Sequence, residues 1–165
     1  MINLRFSNEL SKSQLGDVMK VLSRPRLWIP TSADYPRHQE WLDKSEAQIA
    51  EGSKRALLAY ADNTPVGAIV YRRHETEEKT VEIRNISIDP AIRGQLFGAF
   101  MLRQVETDVL ANEYPKADTF VVDTKINNTS MISFLENQGY RRSNTLDLYQ
   151  DGTGMDAILV KTLTL

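Results

Sequence analysis

Cysteine is absent from the 165-residue chain, which excludes disulfides, zinc thiolate centres and cysteine nucleophiles. Histidine is nearly as scarce. Only His38 and His74 occur, a poor supply for a histidine metal site or a Ser-His-Asp triad. An excess of basic charge is also missing. The formal net charge is −2 and the pI is near 5.7, which argues against non-specific binding to nucleic acid or to anionic membranes, though a local basic patch stays compatible with it. No apolar run is long enough to span a bilayer, and the N-terminal MINLRFSNEL lacks the apolar region of a signal peptide. There is no low-complexity segment, internal repeat or linker-like stretch. The expectation is one soluble, cytoplasmic domain over 1–165, long enough to bury a core, with no metal and no nucleic-acid or membrane partner.

Apolar spacing then gives the element order. A short strand near Asn3–Phe6 leads into a helix from about Asn8 to Ser23, with Leu15, Val18, Met19 and Leu22 on one face. The segment RPRLWIPTSADYP, Arg24–Pro36, has three prolines and two aromatics and reads as an ordered irregular loop. A second helix spans about Arg37–Glu51, with apolar contacts from Trp41, Leu42 and Ile49, and Gly52 ends it. Arg55–Ala61, Val66–Tyr71 and Thr80–Ile88 read as an antiparallel meander. The remainder reads as a helix over Gln95–Ala111, a strand over Asp118–Thr124, a short helix over Asn128–Asn137 and two closing strands. The order β-α-α-β-β-β-α-β-α-β-β predicts a mixed α/β fold, a mostly antiparallel sheet with helices on both faces.

The stretch EIRNISIDPAIRGQLFG, Glu82–Gly98, carries the chemistry. Along its strand, Val81 and Ile83 share one parity, Ile86 and Ile88 the other. Either a β-bulge near Arg84 and Asn85 shifts the register, or the strand is buried on both faces. A bulge would leave backbone groups that a ligand with amides of its own could pair. Beyond Pro90, glycines and Arg93 stand where a helix begins, and the first amides of a helix lack internal partners and carry the positive end of its dipole. That is an anion site for phosphates. It is neither a Walker A loop nor a GxGxxG dinucleotide turn.

The string NISIDPAIRGQLFGAFML resembles the acetyl-coenzyme A-binding segment of the GNAT superfamily of N-acetyltransferases. The family signature Gln/Arg-x-x-Gly-x-Gly/Ala falls on Arg93, Leu96 and Gly98. Downstream, INNTSMISFLENQGYRR resembles the family's Asn-x-x-Ala-…-Tyr-Glu-x-x-Gly-Phe element, with Asn128, Glu136, Gly139 and Tyr140 in register. The likeness covers about Arg55–Arg142; the first fifty residues share only the layout. It implies acetyl-CoA as co-substrate and direct acetyl transfer to a primary amine in a ternary complex. The backbone of Ile86, Ser87 and Ile88 would hold the pantetheine arm. Arg93, Gly94, Gln95, Leu96, Phe97, Gly98 and Ala99 would hold the pyrophosphate. Asn128, otherwise a routine N-cap, would also touch the cofactor.

Glu82 matches the general-base glutamate of several family members, and a carboxylate set among apolar neighbours could accept a proton through water. The competing reading is a solvated strand end paired with a nearby arginine. Trp28 and Tyr35 are candidates to wall the acceptor pocket. Asn85, Tyr140 and Tyr149 are further polar candidates, each taken first as structural, and His38 and His74 are taken as surface residues. Two departures stand out. Leu96 replaces the signature's first glycine, and Leu135 replaces the tyrosine that in many members protonates the departing thiolate. The second departure feeds an alternative, a catalytically silent acyl-CoA-binding sensor or partner-binding module on the same fold. A third reading, an unrelated phosphate- or nucleotide-binding protein, requires the Asn128–Tyr140 match to be chance. The acceptor is a small-molecule or protein amine, and oligomeric state is open, with a homodimer one option.

Overall fold

The computed structural model of the protein describes residues 4–24, 38–94, 96–150, 152 and 154–163. Along it run β1 (Leu4–Ser7), α1 (Lys12–Leu22), α2 (His38–Ala50), β2 (Arg55–Ala61), β3 (Thr64–Arg73), β4 (Thr80–Ile88), α3 (Phe97–Asp108), β5 (Thr119–Lys125), α4 (Thr129–Asn137), β6 (Arg141–Leu146) and β7 (Asp156–Thr162). This is the expected element order. The strands hydrogen-bond in the order β1-β2-β3-β4-β5-β7-β6. β4 pairs with β5 in parallel, and α3 provides the long crossover that parallel neighbours require. The pairs β1–β2, β2–β3, β5–β7 and β6–β7 are antiparallel. The fold is mixed α/β with a mostly antiparallel seven-stranded sheet. Its residues group into two compact units, Met1–Arg72 with Asn85–Asp108, and Arg73–Arg84 with Val109–Leu165.

In the first unit, α1 begins at Lys12 rather than near Asn8. Ser11 caps it: the Gln14 amide donates to Ser11 Oγ at 3.3 Å, and the Ser11 amide donates to Gln14 Oε1 at 2.9 Å. This reciprocal pair satisfies two amides that the helix cannot. Asn8 instead donates its side-chain amide to Asp108 Oδ2 at 2.8 Å. Val18, Val21 and Leu22 of α1 and Leu42 of α2 bury themselves against Ala56, Leu58 and Tyr60 of β2 and Ala68 and Val70 of β3. Successive strand residues face opposite sides, so the odd-numbered residues of β3 meet α3 instead. Tyr71 reaches Asp108 of α3, hydroxyl to Oδ2 at 3.4 Å. At Gly67 a Cβ would sit 2.7 Å from Met101 Sδ and 3.2 Å from the Ser87 carbonyl oxygen. Glycine there lets α3 and the end of β4 close on β3. Helices therefore cover both faces of the sheet in this unit, as expected. Gly52, at φ +83°, ends the turn after α2, a conformation that side chains rarely adopt.

In the second unit, β5 pairs with β7 from Thr119↔Thr162 to Lys125↔Asp156, and β7 pairs with β6. The core holds Val81, Ile83, Phe120, Val122, Ile132, Leu135, Tyr140, Ala157 and Leu159. α4 starts on Asn128 and ends in a Schellman turn. Gly139, at φ +90°, donates its amide to Glu136, and Tyr140 donates to Leu135. That turn brings the buried Tyr140 ring back beneath the helix end, with Lys161 Nζ 5.5 Å from its centroid.

The β4–β5 ladder runs without a register shift from Thr80↔Thr119 to Ile83↔Val122. It ends one residue before the Arg84/Asn85 boundary between the two units. Thr80, Val81, Ile83 and Ser87 are buried along the strand, with Ile86 and Ile88 only half-buried.

Candidate active site

The cofactor-like segment lies in the first unit. At the end of β4, the Asp89 amide donates to the Val66 carbonyl of β3 at 2.8 Å, and Asp89 Oδ1 accepts from the Ala91 amide at 2.9 Å. Asp89 thereby starts a single helical turn, Pro90–Ile92. Arg24, at the end of α1, clamps it from outside, with Nη1 on Asp89 Oδ2 and Nη2 on the Pro65 carbonyl, both at 2.7 Å. A charge-assisted pair with a second bond to the neighbouring backbone fixes the angle at which the chain leaves β4. Arg93 follows, largely exposed, its Nε donating to the Ile88 carbonyl at 3.0 Å.

Two residues then take left-handed backbone conformations, Gly94 at φ +77° and Leu96 at φ +59°. Leu96 is 71% exposed. Its carbonyl accepts the bond from the Phe100 amide at 3.1 Å that opens α3. The amides of Phe97, Gly98 and Ala99 thus belong to the first turn, where helix geometry provides no internal acceptor. Phe97 itself is buried, its ring tilted against Phe6 of β1 with centroids 6.2 Å apart. That anchor holds the helix start in place while the next amides stay unpaired within the helix.

The carboxylate candidate lies in the second unit. Glu82 is half-buried, its side chain 15% exposed, with Oε1 3.4 Å from His74 Nε2 and Oε2 3.8 Å from Arg84 Nη1. Its surroundings are therefore hydrogen-bonding and cationic rather than apolar, and the arginine pairing that competes with the catalytic reading is present. Arg84 is shared. Its guanidinium lies 3.5 Å from Asp123 Oδ1 and 3.3 Å from the Tyr149 hydroxyl. Tyr149 in turn donates to Asp123 Oδ2 at 2.8 Å, with Lys125 Nζ 5.3 Å from its ring centroid. Tyr149 is 47% exposed overall, with its hydroxyl between the Asp123 carboxylate and the Arg84 guanidinium. Burial of that end, then the Asp123 charge, holds the phenol well above the usual tyrosine range. A hydroxyl so held stays protonated, with its hydrogen directed at Asp123.

Asn128 caps α4. Its Oδ1 accepts from the Met131 amide at 3.3 Å and its Nδ2 donates to Thr124 Oγ1 at 3.2 Å. Leu135 is fully buried. Gln95, Trp28 and Tyr35 lie outside the described residues. His74, expected from sequence to be a surface residue, instead sets its Nε2 against the Glu82 carboxylate. Asp123 joins the cluster without having been a candidate. Its one signal in the sequence is a carboxylate directly after the apolar run Phe120–Val122.

Known acetyltransferases share the fold that carries these residues. The profile of the acetyltransferase (GNAT) family matches residues 18–140. No curated protein sequence matches the chain significantly. Among solved structures, the PaiA N-acetyltransferase of Thermoplasma acidophilum, in complex with coenzyme A, superposes with a TM-score of 0.71 at 16% identity, covering 97% of this chain and 99% of its own. A spermidine N-acetyltransferase chimera, SpeG from Vibrio cholerae with hSSAT, gives 0.68 at 15% identity over 96% and 95%. RimL, a ribosomal L7/L12 α-N-protein acetyltransferase in complex with coenzyme A, gives 0.74 at 13% identity over 99% and 98%. At these identities the structural likeness speaks to fold, while the profile match spans most of the chain: the protein belongs to the GNAT acetyltransferase family.

Proposed function

We propose that this protein is an acetyl-CoA-dependent N-acetyltransferase that passes an acetyl group directly to a primary amine in a ternary complex. The observation that carries the reading is the start of α3, where two left-handed residues turn the chain so that Phe97, Gly98 and Ala99 offer unpaired amides beside Arg93. Such a start suits a pyrophosphate. In this reading the backbone of Ile86, Ser87 and Ile88 pairs with the pantetheine arm and residues 93–99 hold the phosphates. Asn128 adds a contact without giving up its cap, because an amide oxygen accepts more than one bond. The acceptor is a small-molecule or protein amine.

Bound acetyl-CoA supplies an activated thioester. The chain's part is to align it with the amine, which accounts for much of the acceleration in such transfers. Glu82, on the same strand as the pantetheine-pairing residues, takes the amine's proton through water. Arg84 faces its Oε2.

A second reading, an acyl-CoA-binding sensor that no longer transfers, draws on one observation: the family's acid position is Leu135, fully buried and without a hydroxyl. Calorimetric titration with acetyl-CoA tests the binding half, and Gly98→Asp should abolish it by adding bulk and a like charge among the amides. Unchanged affinity in the folded variant refutes the phosphate assignment. Thiol release with a panel of primary amines tests the transfer half. Glu82→Gln should lower turnover on the order of a hundredfold or more with acetyl-CoA affinity intact. Tight binding with no turnover on any amine would favour the sensor.

A further inference from the structure

His74 lies in the turn between β3 and β4, where the sequence HETEEK shows only a solvated, charged link. The turn is in fact tied to itself. The His74 amide donates to the Thr80 carbonyl at 2.8 Å, the Thr80 amide donates to the Glu77 carbonyl at 3.0 Å, and the Thr80 hydroxyl donates to Glu77 Oε2 at 3.0 Å. The ring is fixed at both ends. Its Nδ1 accepts from the amides of Thr76 at 3.3 Å and Glu77 at 3.2 Å, and lies 3.3 Å from Thr76 Oγ1. Its Nε2 lies 3.4 Å from Glu82 Oε1. A ring nitrogen that accepts two amide hydrogens carries none of its own, so the hydrogen of the neutral ring is assigned to Nε2, facing Glu82.

We infer that His74 is a positioning residue for Glu82, orienting the carboxylate through a neutral Nε2–H donor while the turn amides hold the ring from behind. The inference rests on the reading of Glu82 as the proton acceptor. The same geometry argues against a proton relay through the ring. A second proton would have to enter at Nδ1, which would break both amide bonds that place the ring. The other groups around Glu82 divide the work. Arg84 of β4 faces Oε2 but is shared with Asp123 of β5 and the Tyr149 hydroxyl, while Lys125 pairs with Asp156 beyond them and Glu77 is engaged by Thr80. Of these groups, His74 is the one that approaches Oε1.

The two ring nitrogens can be tested separately, since glutamine places a side-chain amide where Nε2 stands and asparagine places an oxygen where Nδ1 stands. Thiol release from acetyl-CoA is measured with spermidine, Nα-acetyl-lysine amide and a tetrapeptide with a free N-terminus. His74→Ala should lower kcat about tenfold or more, the size of one hydrogen bond to a charged group, with KM for acetyl-CoA unchanged. His74→Gln should recover much of that loss and His74→Asn should not. Equal recovery by both, or by Asn alone, would overturn the inference and leave His74 as a support for the turn. Wild-type kcat in His74→Ala beside an inactive Glu82→Gln would overturn it while sparing Glu82. Full activity in Glu82→Gln would remove the base on which it rests. Nitrogen NMR of the imidazoles needs no acceptor and has only two histidines to resolve. The His74 ring should be the Nε2–H tautomer at neutral pH, and its Nε2 signal should move in Glu82→Gln. An Nδ1–H tautomer, or an unmoved signal, would overturn the inference.

Discussion

Leu96→Gly should stabilise the protein, although it deletes a large apolar side chain. Leu96 holds φ +59° at the entrance to α3. For a residue with a Cβ, that left-handed conformation costs about 1–2 kcal/mol. Glycine adopts it freely but loses more backbone entropy on folding, an opposing cost of about 0.5–1 kcal/mol. Packing adds little to the balance because the side chain is 71% exposed. The net gain is about 0.5–1 kcal/mol, or about 1–4 °C in Tm for a chain of this size. Thermal and urea denaturation of the ligand-free protein measure it, with Leu96→Ala as control, since alanine keeps the strain and loses the side chain. If backbone strain dominates, glycine stabilises and alanine does not. Destabilisation of Leu96→Gly by about 1 kcal/mol or more would show that the leucine contributes packing beyond its exposure and would refute the strain argument. Acetyl-CoA should bind Leu96→Gly at least as tightly as the parent, because the smaller residue opens the approach to the amides behind it.

Two further outcomes follow from buried and paired groups. Restoring the family tyrosine, Leu135→Tyr, puts a larger side chain and a hydroxyl into a fully buried site. It should cost about 1–3 kcal/mol by overpacking, read as a lower urea midpoint. A stable variant with raised thiol-release turnover would show that α4 has room for the missing acid. Asp17→Asn tests a charged pair on α1, where Asp17 accepts from Lys20 and from the Tyr60 hydroxyl, both at 2.9 Å. The Lys20 bond first, then Tyr60, holds this carboxyl below its ordinary 3.8 against the opposing effect of burial. A depressed folded-state value means that the stabilisation is present above pH 3.8 and is lost as pH falls through the folded value. Parent and Asp17→Asn should therefore differ by about 1 kcal/mol in urea unfolding at neutral pH and converge in acid. A gap that persists at low pH would rule out the charge as its cause.

The layout of the fold is legible in the sequence because apolar spacing marks buried faces whatever the tertiary context. Helical spacing identifies Val18 and Leu22 as core, and the strand runs 55–61 and 80–88 lie where the apolar pattern puts them. Boundaries fail where side-chain chemistry overrides spacing. Asn8 looks like a helix start, but the reciprocal pair Ser11 and Gln14 sets it four residues later, at Lys12, and Asn8 serves Asp108 instead. α3 ends at Asp108, and its continuation, Val109–Glu113, widens so that the Tyr114 amide reaches the Val109 carbonyl. No spacing rule foresees that change of pitch. β6, RRSNTL, is exposed along its whole length and carries no apolar alternation. Only its pairing with β7 makes it a strand.

The candidate site divides along the same line. The segment from Ile86 to Ala99 is contiguous, and its turn chemistry is written in adjacent residues, so the anion site proposed for it can be read directly from the sequence. Leu96 departs from the signature, and its backbone explains why glycine suits that position. The surroundings of Glu82 are not contiguous. Its contact with His74 needs the turn to fold back through the bonds of Thr76, Glu77 and Thr80. The Arg84–Asp123 contact needs the register of two parallel strands separated by the whole of α3. Once Ile83 is set against Val122, the next residues along, Arg84 and Asp123, fall side by side, and one guanidinium can serve Glu82, Asp123 and Tyr149. Composition and spacing fix neither the direction nor the register of strands that far apart. A charge network across such a pair therefore becomes visible only when the ladder does.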